Sequence, residues 1–398
     1  MLPLRLVVLA LGVALGVFYP FIPVILAQRG FSPAEIGLVA SAGAIGFTLA
    51  VPAWGHIADV QLGRARTLQL CAIAGGAAVG ALLGPWPPIV IALLFMAYWV
   101  FESSWQPLSD ALTVNLVDRR SYARVRLLTS LSFAVSSIAA GFLYDSAGFG
   151  AAYVLAVLAA VAIAVAAGGV PDVGRADLGH EREGQAASSR PRLSLGSAGV
   201  ALRLSPRLGV VLVAVMLINI TIISGFTYLP LRLGDLGSPP SDVALSAGTS
   251  AIAEIPAMLV AARVAHWIGL RGMFVGSALI YGVATSSWIV LESAELIIAT
   301  RLITGVAFAW ILVCVVLTIA RLLPSELQAT GQSLYQTFGF GFGAIIANIV
   351  GGQLYQGIGH GAVFGLGTVL AVVAATMGWI VFPRDARTRI APAPTAPG

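Results

Sequence analysis

Apolar residues in this chain gather into long uninterrupted runs bounded by arginines, prolines or glycine clusters. A helix rises about 1.5 Å per residue, so about 20 apolar residues cross the roughly 30 Å hydrocarbon layer of a bilayer. Twelve runs approach that length: residues 5–27, 33–57, 67–83, 89–116, 124–144, 150–169, 208–231, 242–265, 272–291, 295–322, 328–354 and 361–382. The first outlasts the apolar core of a signal peptide and lacks a clear cleavage site, so it reads as a retained helix. The pattern predicts an all-α membrane protein with twelve transmembrane helices.

Composition agrees. Apolar residues make up 58% of the chain, with 45 Gly besides. The 17 acidic and 22 basic residues are 10% of it, where a soluble domain carries roughly a quarter. Every basic residue is Arg. Without Lys there is no Walker A loop and no Schiff base, which excludes ATP-driven and pyridoxal chemistry within this chain. Cys71 and Cys314 lie in apolar runs as small hydrophobes, and His56, His180, His266 and His360 lack the spacing of metal ligands. No cofactor, no metal and no enzymatic nucleophile is expected.

The net charge of +5 is explained by the membrane rather than by nucleic acid. With both termini cytoplasmic, nineteen of the arginines fall on inner ends, loops and tails; only Arg29 and Arg232 fall outside, and Arg301 sits within a span. That bias predicts cytoplasmic termini in a plasma membrane, the inner membrane of a bacterium.

The polar stretch 171–207 contains GRADLGHEREGQAASSRPRLS, which cannot bury enough apolar surface to fold alone. It divides a bundle at 1–170 from a bundle at 208–383, with a tail at 384–398. Residues 193–204 within it either lie along the inner leaflet or stay coil. The halves repeat: a shift of 207 lays Pro23, Leu26, Gly30, Pro33 and Glu35 on Pro230, Leu233, Gly237, Pro240 and Asp242. A shift of 211 lays GFLYDSAGFGAAYVLA on GQLYQGIGHGAVFGLG, with seven of sixteen positions identical. Duplicated bundles related by an axis along the membrane normal enclose a cavity. Small residues every fourth position (Gly76, Gly80, Gly84; Gly339, Gly343, Ala347, Gly351) mark close helix packing. Pro20, Pro23, Pro230 and Pro256 interrupt helices, as kinks or as hinges.

Charge inside a span costs roughly 2.5–3.5 kcal/mol at a helix centre, so each such residue needs a reason. Glu254 lies about 18 Å into span 8 and Glu102 about 20 Å into span 4, both near mid-membrane; Arg301 lies about 9 Å into span 10. Leaving water disfavours the charged form of a carboxyl, and a nearby Arg restores it. Glu254 and Glu102, with Arg301 able to reach Glu254, are therefore the candidate proton-coupling groups. Asp110, Arg124 and Arg126 lie at the inner boundary.

After span 2 the chain reads GHIADVQLGRAR, which resembles the cytoplasmic signature of the major facilitator superfamily, a Gly, an Asp four residues on, then Gly-Arg and further basic residues. Gly55, Asp59, Gly63, Arg64 and Arg66 take those places, with one extra residue between Asp59 and Gly63 and Val60 where a basic residue is usual. The resemblance implies a cytoplasmic gate. Ser325 and Gln328 read as a capping box opening span 11, whose dipole attracts a carboxylate such as Asp59.

FYPFIPVILAQRGFSPAEIGLV, QPLSDAL and YARVRL resemble the branch holding phenylpropionate permeases, nucleoside:proton symporters and oligosaccharide:proton symporters, with Ala123, Leu128 and Thr129 departing from its span 5 pattern. The EIP at Glu254 also resembles span 8 of that branch. By motif position Asp110 and Arg126 resemble the acid and Arg that meet substrate in the oligosaccharide symporters, with Arg124 beside them. Asn219, Tyr228, Tyr335 and Gln336 either line the cavity or serve packing. The resemblance implies a monomeric secondary transporter, a proton symporter of a small organic solute: aromatic carboxylate, nucleoside or sugar. A proton-antiporting drug exporter and a non-translocating sensor of the same fold are the competing readings.

Overall fold

The computed structural model describes residues 2–116, 119–171 and 195–383; the side chains of Arg119, Arg120, Arg124 and Arg126 lie outside that description. The described residues are helical throughout, with no strand. Ten helices are long and apolar enough to span a bilayer. One of them, Pro240–Val290, is 51 residues long and is two spans, because Gly269 turns the backbone at φ 72° in its middle. The 18-residue helix Arg64–Ala81 completes the twelve.

In chain order these are α1 (Leu2–Gln28), α2 (Pro33–Leu62), α3 (Arg64–Ala81), α4 (Pro88–Glu102 and Trp105–Leu116), α5 (Arg119–Ala147), α6 (Gly150–Gly168), α7 (Pro206–Asp235), α8 (240–268), α9 (270–290), α10 (Ala294–Leu322), α11 (Ser325–Gly357) and α12 (His360–Val381). The loop expected between spans 8 and 9 is thus a single glycine kink. Residues 193–194 lie outside the described chain; Leu195–Leu204 forms a short helix whose Ala201 and Leu202 join the core of the second bundle, so it packs on protein and is neither coil nor an independent leaflet helix.

Duplication is written in the backbone. Among the described residues six have positive φ, all Gly, and they form three pairs: Gly30 (86°) with Gly237 (74°), Gly63 (87°) with Gly269 (72°), and Gly148 (71°) with Gly359 (110°). Two of the spacings, 207 and 211 residues, are the shifts of the sequence repeat, and the third, 206, differs from the first by one residue. A Cβ at Gly30, Gly148, Gly237 or Gly359 would meet no atom within 4 Å, so the left-handed turn and not crowding demands glycine there. Tyr144 and Tyr355, 211 residues apart, both brace their bundles: the first donates to Val17 O at 2.7 Å, the second to Asp235 Oδ2 at 2.5 Å.

The small-residue stripes pack as expected. A Cβ on Gly76 would lie 2.9 Å from Ala160, and one on Gly80 3.3 Å from Val157, which seats α3 on α6; Gly351 touches the Tyr228 ring in the same way, seating α11 on α7. Close backbone approach matters here because lipid offers no hydrophobic drive to helix association.

At the end that the arginine bias assigns to the outside, the bundles interlock. Gly37 on α2 abuts Asn348 O on α11, and Ser41 donates to Ile345 O at 3.3 Å. Gly141 on α5 abuts Ala244 on α8, and Gly248 receives Ile138. Tyr228, a candidate cavity residue, belongs to this seam instead, where its hydroxyl donates to Asn348 O at 2.5 Å.

Glycines within a bundle and between bundles should therefore respond differently to added bulk. A Cβ at Gly305 falls 2.2 Å from Ser250 O inside the second bundle, and a Cβ at Gly37 falls 2.2 Å from Asn348 O across the seam. Gly305→Val should lower the thermal unfolding midpoint of the detergent-purified protein by several degrees. Gly37→Val should leave that midpoint nearly unchanged while raising the accessibility of the outer pathway to a thiol probe; equal destabilisation by both would contradict the assignment.

Candidate functional site

Two proline breaks build one part of the site. Proline has no N–H, so Pro107 cannot bond Ser103 O four residues earlier, and α4 stops at Glu102 and restarts at Trp105. The Ser103 and Ser104 hydroxyls turn back onto Val100 O (2.7 Å) and Phe101 O (2.9 Å), supplying donors that the broken ladder lost. In α1, Pro20 and Pro23 impose a 3₁₀ turn at Tyr19–Phe21, closed by Ile22 N on Tyr19 O.

Glu102 ends the first α4 segment with 8% exposure, within electrostatic reach of the phenols of Tyr19 and Tyr98. Its carboxyl makes no hydrogen bond or ion pair among the described residues. The Tyr98 hydroxyl and Trp105 Nε1, whose rings meet edge to face, are also buried without a hydrogen-bond partner among the described residues. The α1 turn packs against two helices of the other bundle, α7 and the continuous Pro240–Val290 helix, and Tyr19 within that turn is 47% exposed. Tyr19 is a residue that the sequence reading missed. The signal lay in FYPFIP, two prolines three residues apart beside an aromatic.

A second part lies on α7 and α11. Gln336–Phe342 forms a π-helical turn, a rare form enriched at functional sites. At its centre Gly339 admits Asn219, whose Nδ2 would lie 2.4 Å from a Cβ there, with the Tyr335 ring at 3.3 Å. Asn219 and Tyr335 are 1% and 2% exposed, and neither the amide nitrogen and oxygen nor the phenol has a hydrogen-bond partner among the described residues. An unpaired buried polar group costs about 1–3 kcal/mol, and native proteins keep few. Donor and acceptor together on Asn219, plus a phenol, fit the hydroxyls of a polar solute. Gln336 is exposed at the start of the turn.

Arg301 is 4% exposed. Its guanidinium donates to Ser246 O (3.4 Å) and Thr304 Oγ1 (3.2 Å) and lies over the rings of Phe226 and Trp288 at 5.5 and 5.9 Å. Tyr281 stands in the field of both Arg301 and the half-buried Glu254. Asp110 is half-buried and accepts from the Gln106 amide at 3.0 Å. Arg124 and Arg126 fall on α5 with their side chains outside the described residues.

In the signature segment the extra residue has a structural account. Ala58–Leu62 is π-helical, which takes one more residue per turn, so Asp59 still pairs with Arg64 at 3.1 Å and Gly63 still makes its left-handed turn. Gly55 meets nothing within 4 Å and Arg66 is exposed. The capping box at Ser325 is overturned. Pro324 is the N-cap, Ser325 Oγ bonds Glu326, and the Gln328 amide is committed to Ala320 O and Leu323 O. Pro230 and Pro256, expected to interrupt, lie within unbroken helix. An apolar cavity of about 310 Å³ between α7, α11 and α12, with Met216, Ile220 and Leu370 in its wall, offers a polar solute little.

Residues 4–366 match the MFS_1 like family. A maltose permease of Geobacillus stearothermophilus is 26% identical over 388 residues, 94% of this chain and 92% of that one. A Bacillus subtilis (strain 168) protein described as the uncharacterized transporter YwbF is 22% identical over 355 residues, 87% and 84% of the two chains. Two crystal structures of the nucleoside transporter NupG, the first of a mutant, align with TM-scores of 0.81 and 0.77 at 16% and 15% identity, covering 96% of this chain and 99% and 97% of theirs. A bacterial homolog of the human lysosomal transporter Spinster, inward-facing and unoccupied, aligns at 0.63 with 14% identity over 96% and 95%. These likenesses carry the fold.

Because Asn219 and Tyr335 make no side-chain hydrogen bonds among the described residues, replacing them with apolar shapes should not cost stability. Asn219→Leu and Tyr335→Phe are expected to hold or raise the unfolding midpoint while weakening solute binding more than about tenfold. A stability loss with unchanged affinity would show them to be structural.

Proposed function

The chain belongs to the MFS_1 like family and is a membrane transporter, not an enzyme; on that premise we propose that it is a proton symporter importing a neutral, hydroxyl-rich solute, a sugar or a nucleoside, by alternating access. Glu102 carries this reading. A carboxyl at mid-membrane depth, with no hydrogen bond or ion pair among the described residues and within electrostatic reach of a half-exposed tyrosine, suits a group that takes up and releases one proton per cycle. Glu254, which with Arg301 lies within electrostatic reach of Tyr281, is the second carboxyl of the pathway.

The solute class rests on Asn219 and Tyr335, whose amide and phenol offer bonds to hydroxyls. The names of two similar proteins, a maltose permease and a nucleoside transporter, agree with it. Asp110, Arg124 and Arg126 take the inner side of the solute path.

The interlocked outer seam supports an inward-facing state in which residues 1–170 and 208–383 act as the two rocking bodies, joined by 171–207, with 384–398 as a tail. The Asp59–Arg64 pair belongs to the gate that closes when the outer seam opens. The arginine bias supports cytoplasmic termini in a bacterial inner membrane, and the self-contained bundle pair supports a monomer.

Purified protein in liposomes should accumulate maltose or uridine against its gradient when the outside is acidified. Glu102→Gln should abolish that uphill accumulation while sparing solute counterflow. Full accumulation by Glu102→Gln would remove Glu102 from coupling, and binding without any flux in the wild type would leave a sensor.

A further inference from the structure

The outer seam holds two hydrogen bonds that the sequence repeat makes equivalent. Asp145, near the end of α5, accepts from Ser241 N, an amide in the first turn of α8, at 2.9 Å. Gln356, near the end of α11, accepts through Oε1 from Ala34 N, in the first turn of α2, at 3.3 Å. Asp145 and Gln356 are 211 residues apart, and Ala34 and Ser241 207 apart, the same shifts that superpose the halves. Each bond runs from one bundle to a helix start of the other.

Both helix starts have a reason to look outside their own bundle. The first turns of α2 and α8 open on Pro33 and Pro240, which have no N–H, so the next amide is the first one needing an acceptor. In α2 the N-cap Ser32 satisfies Glu35 N, one residue further on, leaving Ala34 N unserved. In α8 the N-cap is Pro239, which has no side-chain acceptor at all. The missing acceptors come from across the seam.

We propose that Asp145 and Gln356 are paired positioning residues of the transport cycle, reciprocal inter-bundle caps that hold the outer gate shut and set how much of the protein faces inward. The two arms differ in strength. Asp145 brings a charge to a helix N-terminus, where the dipole favours it, and its bond is the shorter; Gln356 brings a neutral amide. The Asp145 arm therefore holds more of the closed state. Outward opening must break both bonds, after which water serves the exposed amides. The inference rests on alternating access between the two bundles.

The test uses full-length protein in nanodiscs with spin labels at Ala147, the last residue of α5, and Glu292, in the turn between α9 and α10, exposed positions at the outer ends of opposite bundles. Double electron–electron resonance reports the outer distance, and transport is measured in parallel. Asp145→Ala with Gln356→Ala should raise the outward-open fraction on the order of tenfold, with Asp145→Ala contributing more than Gln356→Ala. Asp145→Asn, which keeps an acceptor and loses only the charge, should fall between wild type and Asp145→Ala and controls for folding. Distance distributions in the double variant that match the wild type, while the wild type itself responds to solute, would overturn the latch. A wild type whose outer distance never changes would instead overturn alternating access.

Discussion

A backbone carbonyl or amide freed inside a bilayer must find a partner within the protein, and that constraint governs where this molecule departs from regular helix. Pro107 breaks α4 and the hydroxyls of Ser103 and Ser104 repair it; Pro20 and Pro23 tighten α1 into a 3₁₀ turn. The repaired breaks leave side chains where an unbroken helix would not, and the acid at the end of the α4 segment and the tyrosine of the α1 turn lie within reach of each other. Pro33 and Pro240 move the same requirement to the membrane surface, where acceptors come from the opposite bundle.

Two short π turns add what proline does not. One absorbs an inserted residue at Ala58–Leu62 and keeps the Asp59–Arg64 pair in register; the other, at Gln336–Phe342, opens α11 so that Asn219 and Tyr335 share a buried patch over Gly339. In both, a residue gained in the turn changes which side chains meet.

The helices were legible because twenty apolar residues in a row have few alternatives, and the duplication because glycines at left-handed turns tolerate no substitute. The acids were legible from their cost: a carboxylate at mid-membrane depth marks itself. Less could be read of partners. Thr304, three residues on in the same helix, could be read from spacing, but nothing in the spacing of Arg301 announced Ser246 O and the two aromatic faces, which come from three other helices. The S-x-x-Q at Ser325 matched a capping pattern, but Pro324 took the cap position and the Gln328 amide was drawn to the carbonyls ending α10. Tyr19 escaped notice because an aromatic beside two prolines looks like packing until the turn is seen to face the other bundle.

The account stands on the claim that solute and proton move together through Glu102. The most direct measurement is lumenal pH, followed with a trapped fluorescent dye, when solute alone is added to proteoliposomes with no imposed gradient. Wild-type protein should acidify the lumen in step with solute entry, and Glu102→Gln should admit solute with no pH change. Solute entry without acidification in the wild type, or acidification that persists in Glu102→Gln, would contradict it.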